Sequence, residues 1–233
     1  MQNLPKLLLL LVLSELAFAA PKAHVIGFGK PISAKWFVGA DENHAVEIKV
    51  RALYVDTRLK EFTLGPAHDV TDHFFVVRRA FHVNDALPDE GASAPRWRWQ
   101  RGGWLLVDRV SGHVSQISLP DFDTYYSAPS WYRDYVAYCG TSDDGKKLYA
   151  IVAQLGQRKP ILKKSLTEIG GRDPEISSLP NSDMPDSKCP APSWQRQPVR
   201  VTFAPQGQTF TYSVRGHDVE VLGTNDNDEE ASE

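Results

Sequence analysis

Several features that usually identify a class of protein are scarce or absent in this sequence. Only two of its 233 residues are cysteines, which excludes a disulfide-rich scaffold and a zinc site with four cysteine ligands. The 26 basic and 29 acidic residues give a net charge of -3, so we expect no nucleic-acid partner. After residue 20 no apolar run is long enough to cross a bilayer, and we expect no membrane span.

The start of the chain has the layout of a secretory signal peptide. Lys6 provides a positive charge, residues 7–13 form a short apolar run, and residues 17–19, Ala-Phe-Ala, form a small-residue cleavage site. An uncleaved anchor is the alternative, but the apolar run is too short to span a membrane and Glu15 interrupts it. We therefore predict a signal peptide over residues 1–19 and an exported protein, periplasmic or secreted, after cleavage near Ala19.

The two cysteines have two interpretations in an exported protein. Cys139 lies in a strand-like run and Cys189 at the end of a loop, so the two can pair in an oxidising compartment. A disulfide between them would close a loop of about fifty residues and contribute about 3–4 kcal/mol of stability. The alternative is two separate buried thiols. We favour the disulfide.

Three stretches repeat one β pattern: residues 103–119, 145–162 and 207–222. Each has a glycine, an apolar run rich in β-forming residues, a tight turn and a second strand. We place the turns at or near Gly112, Gly156 and Gly216. Residues 53–64 look like a tighter copy of the same hairpin, which would bring the number of copies to four.

A second signature accompanies the hairpins. Ser-Ala-Pro-Arg-Trp at residues 93–97 returns as Ser-Ala-Pro-Ser-Trp at 127–131, and its last four positions return as Ala-Pro-Ser-Trp at 191–194. Each copy precedes a strand-like stretch. We expect the three tryptophans, Trp97, Trp131 and Trp194, to pack between neighbouring β units, because large aromatic rings dominate core energetics.

The spacing of the repeat predicts the fold. Gly103 and Gly145 are 42 residues apart, and the next interval matches once an insertion of about twenty residues, within 165–188, is removed. Four-stranded propeller blades recur at about 40–45 residues. We therefore predict an all-β, propeller-like array of about four blades of antiparallel strands over residues 20–223, followed by a disordered acidic tail at 224–233. A β-sandwich whose hairpins merely share turn chemistry is the alternative.

One segment resembles a known family. Ser142-Asp143-Asp144-Gly145-Lys146-Lys147-Leu148, which follows Pro129-Ser130-Trp131, is similar to the Asp-Gly-Lys hairpin of TolB-type propeller repeats. Residues 205–208, after Trp194, fit the pattern loosely, so the resemblance covers roughly 127–165 and 191–222. That family usually has more than four blades. The resemblance implies a protein-interaction or scaffold role more than catalysis.

The sequence contains no pattern that assigns an active site. It has neither a G-x-S-x-G elbow nor an H-E-x-x-H motif. The densest group of ligand-type side chains is His68, Asp69, Asp72, His73 and His82. We interpret these as loop and edge residues, and we predict no catalytic residue, no metal and no cofactor. A hydrolase whose catalytic side chains come from distant positions stays open as an alternative.

Aromatic side chains are concentrated between residues 97 and 138. Three of them, Trp99, Tyr125 and Tyr126, lie next to loops and are our candidate ligand-binding residues, because such rings favour binding surfaces. The main prediction is an exported, non-enzymatic β protein that acts as a protein-interaction or scaffold module. The alternative is a carbohydrate-binding or sugar-processing protein that uses the aromatic residues at 97–138. The partner would be a protein or a glycan, and a second copy of the chain could complete a ring.

Overall fold

The computed structural model describes residues 24–37, 45–86, 95–124, 126–145, 147–168, 189–205, 208–216 and 218–222. The described chain is all-β and contains no α-helix, which confirms the predicted class. Its fifteen strands are β1 Ile26–Phe28, β2 Ile32–Phe37, β3 Ala45–Val55, β4 Arg58–Asp69, β5 Phe74–Asn84, β6 Trp97–Asp108, β7 Val114–Ile117, β8 Ser130–Tyr132, β9 Tyr135–Thr141, β10 Lys147–Gln154, β11 Leu162–Glu168, β12 Ser193–Arg196, β13 Val199–Phe203, β14 Phe210–Arg215 and β15 Asp218–Leu222.

The first seven strands form one N-terminal sheet. Each strand from β2 to β5 pairs in antiparallel orientation with the next strand along the chain. Strand β6 also pairs with β2, where Trp36 faces Trp99, and this is the one parallel pairing among the described strands. The five strands therefore form a closed cycle of pairings. Strand β1 pairs with β3, and β7 pairs with β6. Apolar residues that alternate along these strands, such as Val50, Leu53 and Val107, are fully buried inside the sheet.

The remaining strands form two smaller sheets. The middle sheet has the order β11-β10-β9-β8, and the C-terminal sheet has the order β12-β13-β14-β15. Both are four-stranded antiparallel meanders. One face of the middle sheet packs against the C-terminal sheet, with Ala150 and Val152 opposite Val201 and Tyr212 in one buried cluster. The other face holds Tyr138 and Ile151 in a separate buried cluster.

The predicted hairpins lie where the sequence places them. Residues 103–119 are the end of β6 with β7, residues 145–162 contain β10 and the start of β11, and residues 207–222 contain β14 and β15. Gly112, Gly156 and Gly216 have φ values of 67°, 81° and 59°, a region that glycine enters without a steric penalty.

The way in which the hairpins are grouped into sheets differs from the sequence expectation in one respect. The second and third copies lie in separate four-stranded sheets, but the first copy belongs to the seven-stranded N-terminal sheet. The cause is non-local pairing, because β2 and β6 meet across some sixty residues of chain. The count of about four blades stays a prediction.

The repeated tryptophans do not all have the same environment. The Trp131 ring centroid lies 5.2 Å from that of Trp104 in the N-terminal sheet, and Trp194 stacks at 5.5 Å on Tyr132 of the middle sheet. Both pack between sheets as predicted. Trp97 is 60% exposed, so the packing prediction is wrong for this residue. It lies at the start of β6 in the first sheet, with no earlier sheet to cover it among the described strands.

The predicted disulfide is present. Cys139 and Cys189 are bonded, with their Cα atoms 6.2 Å apart, and both residues are buried. The bond fixes the start of the C-terminal sheet to β9 and is compatible with an exported protein. No helix in the described ranges is long and apolar enough to cross a bilayer. The predicted signal peptide at 1–19, Tyr125 and the predicted tail at 224–233 lie outside the described residues.

Candidate functional site: a cleft between the N-terminal and middle sheets

A cleft of about 720 Å³ lies where the N-terminal sheet meets the first strand of the middle sheet. Its volume is within the range of small-ligand sites. The residues that line it are Glu47, Ile48, Lys49, Leu64, Gly65, Pro66, Ala67, His68, Arg78, Arg101, Trp104, Pro129, Ser130 and Trp131. They come from five strands and the segment before β8, so the tertiary fold creates the site.

One wall of the cleft is an irregularity in β4. Leu64 pairs with Arg78 and His68 with Val76, which leaves residues 65–67 outside the regular register; we call them the β4 bulge. Gly65 has φ of 66°, and Pro66 has no N–H for a neighbouring strand. The Gly-Pro sequence therefore interrupts the ladder, and the wall presents backbone and small side chains to the cleft.

Arg78 joins three parts of the chain at the inner side of the cleft. Its Nε donates to the carbonyl of Gly102 at 3.3 Å, and one terminal nitrogen donates to the carbonyl of Thr124 at 2.6 Å. Burial, and then the nearby positive charge of Arg101, lower the pKa of Arg78 to about 10, while Asp123 acts in the opposite direction. Arg78 remains a cation at neutral pH and ties the N-terminal sheet to the segment that leads to the middle sheet.

Arg101 has a different environment. Its Cζ lies 3.9 Å from the centroid of the Trp36 ring, a cation–π contact. Burial lowers the pKa of its guanidinium, which stays charged at neutral pH. Among the described residues, no carboxylate forms an ion pair with Arg101 and no hydrogen bond occupies its guanidinium. Arg101 therefore has guanidinium N–H donors that no acceptor occupies among the described residues.

Aromatic rings form the side of the cleft next to the middle sheet. The Trp104 and Trp131 rings meet at 62°, and the His68 ring stacks on Trp131 at 6.0 Å. His68 Nε2 donates to the carbonyl of Arg133 at 2.9 Å, which orients the imidazole. The indole nitrogens of Trp104 and Trp131 are buried and have no acceptor in the described part of the chain. The cleft thus combines flat apolar surfaces with cationic groups.

The candidate binding residues of the sequence analysis do not line this cleft. Trp99 packs edge-on against Phe62 at 5.1 Å and stacks on His82 at 4.8 Å. Tyr126 is 51% exposed in the segment before β8, and no ring contact joins it to Trp99 among the described residues. Tyr125 lies outside the described residues. The role of these three residues stays a prediction.

The group of histidines and aspartates between 68 and 82 is dispersed. Asp69 forms an ion pair with Arg109, while His82 lies between the rings of Trp97 and Trp99. Within the described ranges no three His, Cys, Asp or Glu residues are arranged to hold a metal ion. Ser130 and His68 both line the cleft, but no hydrogen bond joins their side chains in the structure described.

Arg78 and Arg101 are not among the candidate residues predicted from the sequence. A signal was available for Arg78, because this charged residue directly follows the apolar run Phe74–Val77, whereas Arg101 lies in a mixed segment between Gln100 and Gly102. A charge at such a position needs a partner or a functional reason. The run alone does not show that the two arginines line the same cleft.

A scan against protein-family models finds no match for this chain, and searches among curated proteins and solved structures find none either. The function is therefore inferred from the geometry of the chain itself.

Proposed function

We propose that this protein is an exported, non-enzymatic binding module that holds a protein partner in the cleft between the N-terminal and middle sheets. The observation that carries the proposal is the lining of that cleft. Arginine and tryptophan are the side chains that most often dominate the energetics of protein interfaces, and here Arg101, Trp104 and Trp131 lie together in a concave surface. The hydrogen-bonding groups of this lining are mainly donors, which suits recognition more than acid–base chemistry.

The architecture supports an interaction or scaffold role. The middle and C-terminal sheets are consecutive four-stranded meanders that pack face to face, the arrangement of neighbouring propeller blades. We propose that they are two blades of a propeller-like array of the kind the TolB-type resemblance implies. Export after cleavage near Ala19 is part of the same proposal, and the buried disulfide supports it.

A glycan is the second candidate ligand, and the environment of Trp97 favours it. This ring is 60% exposed and contacts His82 at 5.0 Å, which in turn stacks on Trp99. A rigid, exposed aromatic surface of this kind suits stacking against an apolar sugar face. Trp99 contributes to the support of this surface, so the exposed Trp97 is the better position to mutate.

The main proposal is tested by blocking the cleft. Ala67 is exposed in the β4 bulge, so Ala67→Trp fills the cleft without disturbing buried residues. Leu59→Trp is a matched control, since Leu59 is a 51% exposed residue of the same strand outside the cleft. A partner is captured from the source organism's envelope extract, identified by mass spectrometry and purified for calorimetry. We expect Ala67→Trp to weaken its binding at least about tenfold and Leu59→Trp to leave it unchanged.

Other outcomes would change the proposal. Equal affinity of the purified partner for wild type and Ala67→Trp would show that the cleft is not the binding surface. Binding to a glycan array that disappears in Trp97→Ala would favour the carbohydrate-binding candidate. Turnover of any substrate in a broad hydrolase panel, abolished by one Ser, Asp or His substitution, would contradict the non-enzymatic part.

A further inference from the structure

The positive charge in the cleft is only partly compensated by the chain itself. Lys49 donates to Glu47, so these two exposed charges at the rim neutralise each other. Arg78 donates to two carbonyl groups, and Asp123 is the one carboxylate in the described part of the chain that favours its charged form. Arg101 has no anionic partner among the described residues. The cleft therefore holds a net positive charge in a partly desolvated position, where an anion is attracted more strongly than in water.

The two guanidinium groups lie close enough to repel each other. The charge of Arg101 lowers the pKa of Arg78, which is the direction expected for neighbouring cations. An anion between or beside them would relieve this repulsion, and its binding free energy would include that relief. Two like charges that share one internal counter-charge, Asp123, leave positive charge for a ligand to neutralise.

The guanidinium of Arg101 suits a planar anion. It lies over the Trp36 ring, and no hydrogen bond to another described residue occupies its N–H groups. Two parallel N–H donors match the two oxygens of a carboxylate, a pairing that adds geometric specificity to the charge attraction. Arg78 donates its hydrogen bonds to Gly102 and Thr124. It therefore contributes positive electrostatic potential to the cleft more than direct contact with the anion.

The remaining lining indicates what surrounds the carboxylate. Apolar side chains face the cleft around the arginines: Ile48, Leu64, Pro66, Trp104, Pro129 and Trp131. A small inorganic anion would leave these surfaces unused. A peptide in which an acidic residue or a carboxyl terminus is flanked by apolar side chains would use both kinds of surface.

We propose that the cleft binds an acidic peptide segment and that Arg101 receives its carboxylate through paired hydrogen bonds. This inference deepens the proposed function and rests on it, because it assumes that the partner occupies the cleft. Arg78 adds to the positive potential, and Trp104 and Trp131 contact an apolar residue next to the carboxylate.

The test uses defined peptides and the full mature chain. Fluorescent hexapeptides carry one central glutamate between apolar residues, with both ends capped, and a second set replaces the glutamate by glutamine. A third set has a free terminal carboxylate. Affinity is measured by fluorescence polarisation for wild type, Arg101→Gln, Arg101→Lys and the control Arg58→Gln, an exposed arginine outside the cleft.

We expect the glutamate peptides to bind wild type about ten- to a hundredfold more tightly than the glutamine peptides. Arg101→Gln should bring this ratio close to one, Arg101→Lys should retain part of it, and Arg58→Gln should retain all of it. On wild type alone, raising the salt concentration should weaken the glutamate peptides and leave the glutamine peptides nearly unchanged. This last measurement needs no variant, so it tests the charge dependence of binding even where a substitution impairs folding.

Several results would overturn the inference. A glutamate-to-glutamine ratio near one on wild type, or an unchanged ratio in Arg101→Gln, would show that the arginine does not read a carboxylate. Inorganic phosphate that competes as well as the peptides would indicate a small-anion site, and preference for oligogalacturonate would indicate an acidic glycan. If the captured partner loses affinity for Ala67→Trp but not for Arg101→Gln, the proposed function stands and the acidic-peptide inference fails. If neither variant affects the partner, both fail.

Discussion

Gly140 lies in β9 at a close crossing of the chain. A Cβ added there would lie 2.8 Å from the carbonyl oxygen of Asp121 and would also meet Ile151 Cδ1, and backbone cannot move as a side-chain end can. We therefore expect Gly140→Ala to reduce the free energy of unfolding by about 1–3 kcal/mol, as overpacking does. Urea unfolding followed by tryptophan fluorescence measures this difference.

Gly103→Ala is the matched control for that substitution. Gly103 also lies in a strand, β6, but no atom lies within 4 Å of an added Cβ. Its alanine variant should be as stable as wild type or slightly more stable, because alanine restricts the unfolded chain. Equal midpoints for the two variants would show that the crossing at Gly140 is not tightly packed.

The cleft shows the limit of predicting a site from isolated residues. Exposed or loop-adjacent aromatic residues such as Trp99 and Tyr126 are recognisable in the sequence as binding candidates, because ring type and flanking loops are local properties. Arg78 and Arg101 acquire their importance from a shared environment. That environment exists only because β5, β6 and β8 meet at the β4 bulge, and no spacing in the sequence encodes this meeting.

The strands and their turns follow from local properties of the sequence. The alternation of apolar and polar residues predicts strand β3, whose burial alternates in the same way. The glycines at 112 and 216, which have positive φ, mark the turns of two hairpins. The membership of each hairpin in a sheet does not follow from them. The hairpin at 103–119 reads like those at 145–162 and 207–222, yet β6 continues back to Trp97 and pairs with β5 along most of its length and with β2 at Trp99. Such long-range pairing depends on the whole N-terminal sequence.

The disulfide links two elements that are distant in sequence. Cys139 in β9 and Cys189 before β12 are separated by 50 positions. Because the bond restricts a loop of that length in the unfolded chain, replacing both cysteines by alanine should lower the free energy of unfolding by about 3–4 kcal/mol. Denaturant unfolding of the double variant and of oxidised wild type measures the difference. Identical midpoints would mean that the unfolded chain gains little freedom when the bond is absent.

The two faces of the C-terminal sheet differ in polarity, which is relevant to the oligomeric state of the protein. Val201, Phe203, Tyr212 and Val214 face the middle sheet, and the residues that alternate with them are polar: Arg200, Thr202, Thr211 and Ser213. If a second copy of the chain completed a ring, it would pack on the face of the C-terminal sheet that points away from the middle sheet. That face would then need to be apolar, as the faces between neighbouring blades are.

We therefore expect a monomer in solution. Light scattering coupled to size-exclusion chromatography should give a mass close to that of one chain, which is 26.0 kDa for all 233 residues. A concentration-independent mass of twice that value would instead support a ring built from two copies. The intact mass of the same exported preparation reports whether residues 1–19 have been removed.

Trp131 and Trp194 both contact the sheet that comes before their own along the chain. Each belongs to the first strand of its sheet and rests on the sheet that precedes it in the chain, Trp131 on Trp104 and Trp194 on Tyr132. A polypeptide that crosses a membrane amino end first would expose each supporting surface before the next sheet emerges to cover it. If the chain is exported as proposed, the bond between Cys139 and Cys189 can form only after both cysteines, and with them the middle sheet, have left the translocation channel.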